Sequence, residues 1–514
     1  MQWENPIDGF HNKLAETSHE NRGLDLLYNY NEENKPLKLK NSNNKSKNLA
    51  NEDLESYITK VSLHKKYMDF FKYVNFVLPT EKITQPNPNT YYCVDGFAPR
   101  LYLDIMHSSG IPETKYYDEA TVIVGSSKGP PLQNILMPNQ RIERFLRTFK
   151  IGSKIGLHAS LTIYRQQTRK NLPFYPQTYL IPEEMDAFKK HFTDHDIWIV
   201  KPTGGSCGRG IFLIKEMPEK FNEQYIVQQY ISNPMLVHGL KFDLRFYVAM
   251  TSLDPLRLYI YRDGLVRLAT SDYKNCQTDL ENLSAHLTNF TYNKDRPGYK
   301  YTDDLKFDGE GNKWSHDPLW PFLRQRGYDT DKIKKNAEIA IVTAFIASRP
   351  YFFDQKYTRV STELYGVDMI LDEKGNVFLE EVNVAPALGT KSKLDIKIKA
   401  PLLSDFLNLS LIPERTELSN SLEVLMENNK KLSEYVICRE FEEAERRLGG
   451  WHRIYPTMET VSITMPSETH FDRVLRRWIA MNDAGKLKYL KDREAHLSSV
   501  LSMVEYVTTP CSIC

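Results

Sequence analysis

Hydrophobic and polar residues alternate with a period of two in the segment KFDLRFYV, which predicts a β-strand. In such a strand Lys241, Asp243 and Arg245 share one face, opposite Phe242 and Leu244. Strands are also predicted by shorter apolar runs: IWIVKP, IFLI, YIVQQYI, GVDMIL and VFLEEV. The longer segment DKIKKNAEIAIVTAFIAS predicts a helix. Together these patterns predict a mixed α/β protein of the α+β class.

Changes in composition divide the chain into five segments. Residues 1–60 are rich in Asn, Lys and Glu, and their lack of apolar residues predicts a disordered arm. Residues 61–170 predict an N-terminal α/β domain, residues 171–240 a central lobe, and residues 241–412 a C-terminal lobe. The charged residues 413–514 predict a helical, partly basic extension with a flexible tail.

The charge balance and the cysteine pattern restrict the class of protein. The 514 residues include 67 basic and 66 acidic side chains, so no overall positive field favours nucleic acid. Apart from the terminal Cys511-Ser-Ile-Cys514, the six cysteines form no CxxC pair, and no apolar run reaches the roughly 18 residues of a membrane span. We therefore expect a cytoplasmic protein with no transmembrane segment and no nucleic-acid partner. We also expect a monomer, although the sequence does not fix the oligomeric state.

A glycine-rich loop joins two of the predicted strands in IWIVKPTGGSCGRGIFLI. Glycines allow backbone N–H groups to converge on a ligand at close range, because no Cβ blocks the approach. The loop lacks the Lys-Ser/Thr ending of the usual phosphate loop, and a strand follows it instead of a helix. We interpret it as a lid over a nucleotide, with Lys201 reaching the phosphates. An ordinary glycine-rich hairpin is the alternative.

The predicted hairpin formed by GVDMIL and VFLEEV contains three oxygen-bearing side chains. Asp368 lies within an apolar run, where an unpaired carboxylate is costly. Glu381 and Asn383 are two residues apart on the second strand and therefore share a face. Such oxygen ligands suit Mg²⁺. The hairpin thus predicts a magnesium site, and an edge hairpin with solvated carboxylates is the alternative.

Other polar groups accompany these strands. The three charges of KFDLRFYV line one strand face, although a solvated face would give the same pattern. The end of YIVQQYI offers backbone groups that can pair with a purine edge. Cationic or hydrogen-bonding side chains follow at Arg267, Thr288, Asn289 and Lys294.

The ordered motifs of the chain resemble those of the tubulin tyrosine ligase-like family. They are IVKP, GGSCGRGI, VQQYI, KFDLRFYV, GLVRLAT, HLTNFTYNK, GVDMILD and LEEVNVAPAL, within roughly residues 85–412. KFDLR, HLTN and EVN are the most specific, and the segment GGWHRIYPT behind them resembles the polyglutamylase branch. The resemblance implies an ATP-grasp fold, with a nucleotide between the central and C-terminal lobes.

The resemblance also implies roles for individual residues. Catalytic roles are implied for Lys201, Arg245 and Glu381. Metal ligation is implied for Asp368, Glu381 and Asn383, with two Mg²⁺ ions that Mn²⁺ can replace. Contacts with ATP are implied for Lys201, Cys207, Gly208, Gln228, Gln229, Tyr230, Ile231, Lys241, Phe242, Asp243, Thr288 and Asn289. Contacts with the acceptor or the incoming amino acid are implied for Cys207, Arg267, Lys294 and Lys399.

Two positions depart from the family pattern. Cys207 stands where many relatives have Gln or Arg beside the acceptor, which leaves the acceptor geometry open. Phe290 replaces a frequent Tyr and removes one hydroxyl group near the amino-acid pocket. Neither change affects the implied metal ligands or Lys201, so we expect an active ligase.

The implied activity is ATP-dependent addition of free glutamate, through an isopeptide bond, to γ-carboxylates of glutamates in acidic tubulin tails. ATP would convert the acceptor carboxylate into an acyl phosphate, which the amine then attacks. The expected location is the microtubules of the cytoplasm, including those of a cilium or basal body. The alternatives are a glycine or tyrosine ligase, a small-molecule carboxylate–amine ligase, and a non-catalytic microtubule-binding protein.

Residues 470–493 are a candidate surface for the acidic tubulin partner. They include seven basic and three acidic side chains, and binding through them should weaken with salt. The alternative is an amphipathic helix that packs on the core through Val474, Leu475 and Trp478.

Overall fold

The computed structural model describes most of one unit of the chain, residues 66–514. The described residues are 72–83, 87, 89–125, 136, 140–193, 195–205, 208–273, 279–352, 361–414, 426 and 429–494. The predicted disordered arm of residues 1–60, the predicted flexible tail after residue 494 and Cys207 lie outside them.

The described residues contain strands and helices throughout, which confirms the predicted mixed α/β class. The strands are Tyr92–Val94 (β1), Val122–Val124 (β2), Arg141–Ile142 (β3), Thr178–Ile181 (β4), Trp198–Pro202 (β5), Phe212–Ile214 (β6), Tyr225–Gln229 (β7), Leu236–Val237 (β8), Leu240–Leu253 (β9), Leu256–Tyr261 (β10), Leu265–Leu268 (β11), Lys313–Ser315 (β12), Glu363–Leu371 (β13), Val377–Val384 (β14) and Trp451–Tyr455 (β15). The helices are Arg100–Ser108 (α1), Phe149–Gly152 (α2), Lys154–Thr168 (α3), Met185–His191 (α4), Leu283–His286 (α5), Phe290–Asn293 (α6), His316–Gln325 (α7), Thr330–Ser348 (α8), Lys393–Leu409 (α9), Lys430–Arg446 (α10) and His470–Ala480 (α11). Residues 483–494 are also helical.

Two small sheets precede the large one. Strands β1, β2 and β3 pair in parallel, and α1 connects the first two. Strands β4, β7, β5 and β6 form an antiparallel sheet in that order, which we call the central sheet. Because β5 and β6 are adjacent and antiparallel, the glycine-rich loop connects two strands, as predicted. Phe188 of α4 packs against Trp198 and Tyr179 and closes one face of this sheet.

The large sheet is organised around the 14-residue strand β9. The first half of β9 pairs with β11 and the second half with β10, while β13 pairs along its other edge. Strand β14 completes the predicted hairpin with β13, and β12 lies beside β11. The sequence predicts only helices after residue 413, but β15 adds an edge strand beside β10. Its five residues are too short for a clear alternation of apolar and polar positions.

Apolar layers cover both faces of the large sheet. On one face, Phe242, Leu244 and Phe246 pack in the cluster that includes residues of α3 and α8. On the other face, Tyr247 and Ala249 pack in a cluster with α9. The charged residues of β9 precede Tyr247 on this second face, so that the face changes from charged to apolar along the strand. Among the described residues, no helix has the length and apolar character needed to cross a membrane.

Candidate active site

A cavity of about 370 Å³ opens between the central sheet, the large sheet and the first turn of α3. This volume is within the range of small-molecule sites, about 300–1,000 Å³. Eight of the residues predicted from the sequence line it: Lys201, Gln228, Arg245, Arg267, Asn289, Glu381, Asn383 and Lys399. The fold therefore brings together side chains that are far apart in the sequence.

The pairing of four strands places charged side chains next to one another on one face of the large sheet. Arg267 of β11 lies opposite Asp243 of β9. Arg245 of β9 lies opposite Asp368 of β13, and Asp368 lies opposite Glu381 of β14. Directly opposed residues have Cβ atoms only about 4.5–5.5 Å apart. We call these five residues the charged row, and its assembly depends on the register of the sheet.

Ion pairs hold the charged row together. Arg267 donates from Nε and Nη2 to the two carboxylate oxygens of Asp243, at 2.6 and 2.7 Å, and its Nη2 lies 2.8 Å from Oδ2 of Asp368. Arg245 contacts Asp368 through Nε and donates from Nη2 at 2.8 Å. Thr288 donates its hydroxyl hydrogen to Asp243. Burial alone would raise the pKa of Asp368, but Arg245 and Arg267 outweigh it and hold this pKa below its usual value.

The burial of these residues decides between two interpretations of β9. Only 4% of Lys241 and 2% of Asp243 is exposed. The alternative of a solvated charged face is therefore wrong, because Lys241 and Asp243 face the interior of the protein, and Asp243 and Arg245 form ion pairs there.

Glu381 and Asn383 lie side by side on the wall of the cavity. The Asn383 amide donates to Oε1 of Glu381 at 3.1 Å and to Oδ2 of Asp368 at 3.2 Å. Burial, followed by the negative charge of Asp368, raises the pKa of Glu381. The positive charge of Arg245 offsets this only in part, and the oxygens of Glu381 and Asn383 are ligands that fit a hard divalent cation. The alternative of solvated hairpin carboxylates does not describe this arrangement, in which Asp368 is buried and Glu381 is half-buried.

The predicted metal ligands differ in how they face the cavity. Asp368 does not line it, and both of its oxygens contact arginines. Within the described ranges, no group of three or more His, Cys, Asp or Glu side chains is arranged to hold a metal ion. The predicted set therefore depends on the amide of Asn383 as well as on the two carboxylates.

The opposite wall of the cavity carries the predicted phosphate lysine. Lys201 donates from Nζ to Oε1 of Gln228 at 2.9 Å, and Gln228 donates to the Thr178 hydroxyl at 2.9 Å. Burial lowers the pKa of Lys201. Gly208 of the glycine-rich loop has a φ angle of +77°, and a Cβ there would lie 3.2 Å from Oδ1 of Asn289. The loop thus passes beside Asn289, at the edge of the cavity.

Some residues predicted to contact ATP are packed elsewhere. Lys241 donates from Nζ to the hydroxyl of Tyr230 at 3.1 Å and to the carbonyl oxygen of His286 at 2.8 Å. Phe242 belongs to the apolar core. The predicted side chains of Lys241, Tyr230 and Phe242 do not line the cavity.

Three further predicted residues also lie outside the cavity lining. Gln229 is exposed and Ile231 is half-buried. The Lys294 side chain is 41% exposed, and its Nζ lies 3.6 Å from Asp295. The structure does not test whether these three residues contact a ligand, so their roles remain predictions.

The cavity wall that carries Lys399 also contains a lysine that the sequence does not single out. Lys399 and Lys313 each lie 2.7 Å from Oδ1 of Asp395, and Lys399 also donates to the Gly389 carbonyl at 2.8 Å. Lys313 lines the cavity and lies opposite Arg267 in the pairing of β11 with β12. No sequence motif predicts this pairing, because β12 has only three residues.

Glu380 is a second cavity residue that sequence periodicity misses. Asp368 pairs with Glu381, but the next residue, Met369, pairs with Leu379, so the register skips Glu380. Such an irregularity redirects a side chain, and Glu380 lines the cavity together with Glu381. Burial, with the charge of Asp243, raises the pKa of Glu380 to about 7.

The predicted basic segment forms helix α11 and residues 483–494. Val474, Leu475 and Trp478 are buried against Ile437 and Phe441 of α10, as the packing alternative predicts. Part of the positive charge is neutralised within the protein by four ion pairs: Arg473 with Glu468 at 3.9 Å, Arg476 with Glu468 at 2.9 Å, Lys486 with Glu442 at 3.1 Å, and Arg493 with Glu434 at 2.5 Å. The side chains of Arg477, Lys488 and Lys491 remain exposed.

Similarity to known proteins covers the region that forms the cavity. The profile of the Tubulin-tyrosine ligase family matches residues 133–419. "Tubulin polyglutamylase TTLL5" of Mus musculus is 32% identical over 430 residues, which cover 71% of this chain and 32% of that protein. "Tubulin monoglutamylase TTLL4" of Homo sapiens is 35% identical over 309 residues, which cover 57% of this chain and 25% of that protein.

A third relative, from Tetrahymena thermophila, is similar over a comparable share of the chain. "Probable beta-tubulin polyglutamylase" of Tetrahymena thermophila is 32% identical over 352 residues, which cover 62% of this chain and 29% of that protein. The chain thus spans a quarter to a third of the length of these three relatives.

Proposed function

The chain belongs to the Tubulin-tyrosine ligase family, and from this premise we propose that it is an ATP-dependent glutamate ligase that modifies tubulin. The proposed reaction joins free glutamate, through an isopeptide bond, to the γ-carboxylate of a glutamate in a tubulin tail. The names of three relatives, two polyglutamylases and a monoglutamylase, support this choice of substrate. The observation that carries the proposal is the charged row, which borders the cavity opposite Lys201.

We propose that the central sheet and the large sheet are the two nucleotide-binding lobes of an ATP-grasp fold. The predicted domain limits at residues 170, 240 and 412 belong to this proposal. ATP would occupy the cavity between the sheets, with its phosphates near Lys201 and its base near the end of β7. The glycine-rich loop would cover the nucleotide, because it spans from β5 to β6 and passes beside Asn289.

Glu381, Asn383 and Asp368 would hold Mg²⁺, and bound Mg²⁺ would supply positive charge beside the transferring phosphoryl group. Arg245 and Arg267 already neutralise Asp368, so Glu381 is the carboxylate on the cavity wall with the greater need for a cation. Asn383 orients Glu381 by donating a hydrogen bond to it.

The chain supplies charge and positioning, and the proposed reaction requires no covalent nucleophile. The acceptor carboxylate takes the γ-phosphoryl group of ATP, which gives an acyl phosphate and ADP. The donor amine nitrogen then attacks the acyl carbon, phosphate leaves, and the nitrogen loses a proton as the isopeptide bond forms. Lys201 and Arg245 would stabilise negative charge on the phosphoryl oxygens during both steps.

The donor amino acid would bind where the cations Arg267, Lys313 and Lys399 line the cavity. These side chains suit an amino acid with more than one carboxylate. Their existing partners are three aspartates, Asp243, Asp368 and Asp395, which hold the cations in place before the substrate arrives. Glycine or tyrosine ligation is the second candidate, and the description of the family itself names tyrosine.

The acidic tubulin partner would contact exposed cations near the C-terminal helices. The triple substitution Arg473→Gln, Arg476→Gln and Arg477→Gln should weaken microtubule binding in a salt-dependent way. Co-sedimentation at several salt concentrations measures this effect, and neutralising Lys189, Lys190 and Lys220 is a control of equal charge on another surface. Equal binding by both triple variants would contradict this part of the proposal.

The choice of donor is tested by supplying the protein with microtubules, Mg-ATP and one labelled amino acid at a time. Incorporation of glutamate without glycine or tyrosine supports the proposal. Incorporation of glycine or tyrosine instead would keep the ligase activity but overturn the donor assignment. Absence of all three would favour a small-molecule ligase or a binding protein.

A further inference from the structure

Glu380 is the cavity carboxylate with the least explained environment. It lines the cavity beside Glu381, where the skipped register of β14 places it. Glu381 accepts a hydrogen bond from Asn383, whereas the Glu380 side chain has no hydrogen bond or ion pair with any residue that the structure describes. Its carboxylate is therefore available to a ligand.

The neighbours of Glu380 place it at the nucleotide end of the cavity. Its charge interacts with Lys241, Lys201, Asp243 and Asp368. Lys201 is the predicted phosphate lysine, and no ion pair joins it to Glu380 among the described residues. The two opposite charges thus face the same cavity without contacting each other, and a ligand can lie between them.

The chemistry of a carboxylate selects the part of the nucleotide that it can bind. An ionised carboxylate only accepts hydrogen bonds, so it repels phosphates and needs a ligand group that donates. In ATP the donors are the adenine amino group and the two ribose hydroxyls. The base is assigned to the end of β7, which leaves the ribose hydroxyls for Glu380. Carboxylates serve this purpose in dinucleotide-binding folds.

Asp243 is a neighbouring carboxylate that could compete for the ribose, but its oxygens are occupied. Arg267 donates to both of them, at 2.6 and 2.7 Å, and Thr288 donates to one. Removing those contacts would leave charges unpaired in the interior. Glu380 has no such competing contacts among the described residues.

We propose that Glu380 binds the ribose hydroxyls of the nucleotide and thereby selects ribonucleotides over 2′-deoxyribonucleotides. This inference rests on the proposed function, because it assumes that the cavity holds ATP. It adds a specificity residue on the nucleotide side of the site and assigns no role to Glu380 in proton transfer or metal binding.

The test compares the binding of Mg-ATP and Mg-2′-deoxy-ATP by the full chain, with competition against a fluorescent ATP analogue as the readout. Wild type should bind ATP at least about tenfold more tightly than 2′-deoxy-ATP, because a hydrogen bond to a charged group has about this effect. Glu380→Leu should reduce the preference to about twofold or less. Glu380→Gln should keep part of it, since one acceptor oxygen remains.

The control variant is Glu373→Leu, in the exposed turn of the same hairpin, which should keep the wild-type preference. The inference is overturned if Glu380→Leu also keeps it, or if this variant changes only the KM for glutamate. A wild type that incorporates glutamate but binds both nucleotides equally would overturn the inference and leave the proposed function intact. A wild type that binds neither nucleotide would overturn both.

Discussion

Two buried clusters of arginine and aspartate use the same pairing chemistry but differ in what surrounds them. In the charged row, Arg245 and Arg267 pair with Asp243 and Asp368 at the wall of a cavity. In the second cluster, which we call the C-terminal clamp, the fully buried Arg349 pairs with Asp472 at 2.6 Å.

The C-terminal clamp satisfies its groups within the protein. Arg349 also donates to the carbonyl oxygens of Leu253 and Ser467, and Asp472 accepts from the backbone N–H groups of Leu256 and Thr469. It therefore fastens the start of α11 to the end of β9.

The charged row, by contrast, borders groups whose charges are not matched. Burial raises the pKa of Glu381 and lowers the pKa of Lys201, because neither has an adequate charged partner. Such unmatched groups in a cavity indicate a ligand site. Buried ion pairs whose groups are all satisfied, as in the C-terminal clamp, therefore indicate a structural role. Buried ion pairs beside unmatched charges, as in the charged row, indicate a functional site.

A large effect on activity is expected from changing the geometry of the charged row while keeping its charge. Arg267→Lys keeps one positive charge but cannot donate to two carboxylates in a fixed fork. We expect glutamate incorporation to fall about 100-fold, with a smaller loss of stability than in any variant of the C-terminal clamp. Arg262→Lys, on an exposed turn of the same sheet, is the control. Full activity of Arg267→Lys would show that this arginine has only a structural role.

The largest expected effect on stability comes from the C-terminal clamp. Asp472→Asn removes the closer of two carboxylates beside Arg349 and leaves Asp254 at 3.7 Å, and breaking a buried pair costs about 3–5 kcal/mol. Chemical denaturation should show this loss in the free energy of unfolding, while the folded fraction keeps its activity at low temperature. The exposed Asp483→Asn should change neither property. A stable but inactive Asp472→Asn would contradict the structural role of the clamp.

A smaller, pH-dependent effect is expected at Glu363, a buried carboxylate outside the cavity. It accepts from the hydroxyl of Tyr365 at 2.7 Å and from Phe145 N–H at 3.1 Å, and burial raises its pKa from 4.5 to about 7. The folded state therefore holds this proton more tightly than the unfolded chain. Stability from this group is present below about pH 4.5 and is lost as the pH rises through about 7.

The measurement is the change in free energy of unfolding between about pH 5 and about pH 8, where Glu363→Gln should lose less stability than wild type. The difference should be at most about 3 kcal/mol, since one pKa unit corresponds to about 1.4 kcal/mol. Glu373→Gln should behave like wild type. Parallel curves for wild type and Glu363→Gln would contradict this assignment.

The sequence predicts the elements of the site better than their arrangement. Period-two alternation identifies β9, and the turn after GVDMIL predicts the hairpin of β13 with β14. The side-by-side placement of Glu381 and Asn383 follows from the same period.

Tertiary pairing determines what the sequence cannot show. The register that places Arg267 beside Asp243, and Lys313 beside Arg267, joins segments with no local relationship. The skipped residue in β14 turns Glu380 toward the cavity against the alternation. The contact of Lys241 with ATP, which the family resemblance implies, stays a prediction; the hydrogen bonds of Lys241 to Tyr230 and His286 depend on packing that the sequence does not show.

The most direct test of the charged row as the active site is Mg-ATP-dependent incorporation of labelled glutamate into microtubules by wild type and by Glu381→Gln. Glu381→Gln keeps the shape of the side chain but removes the charge proposed to hold Mg²⁺, and Glu373→Gln is the control on the same hairpin. We predict that wild type and the control incorporate glutamate and that Glu381→Gln does not. Undiminished incorporation by Glu381→Gln would contradict the assignment of the charged row as the active site.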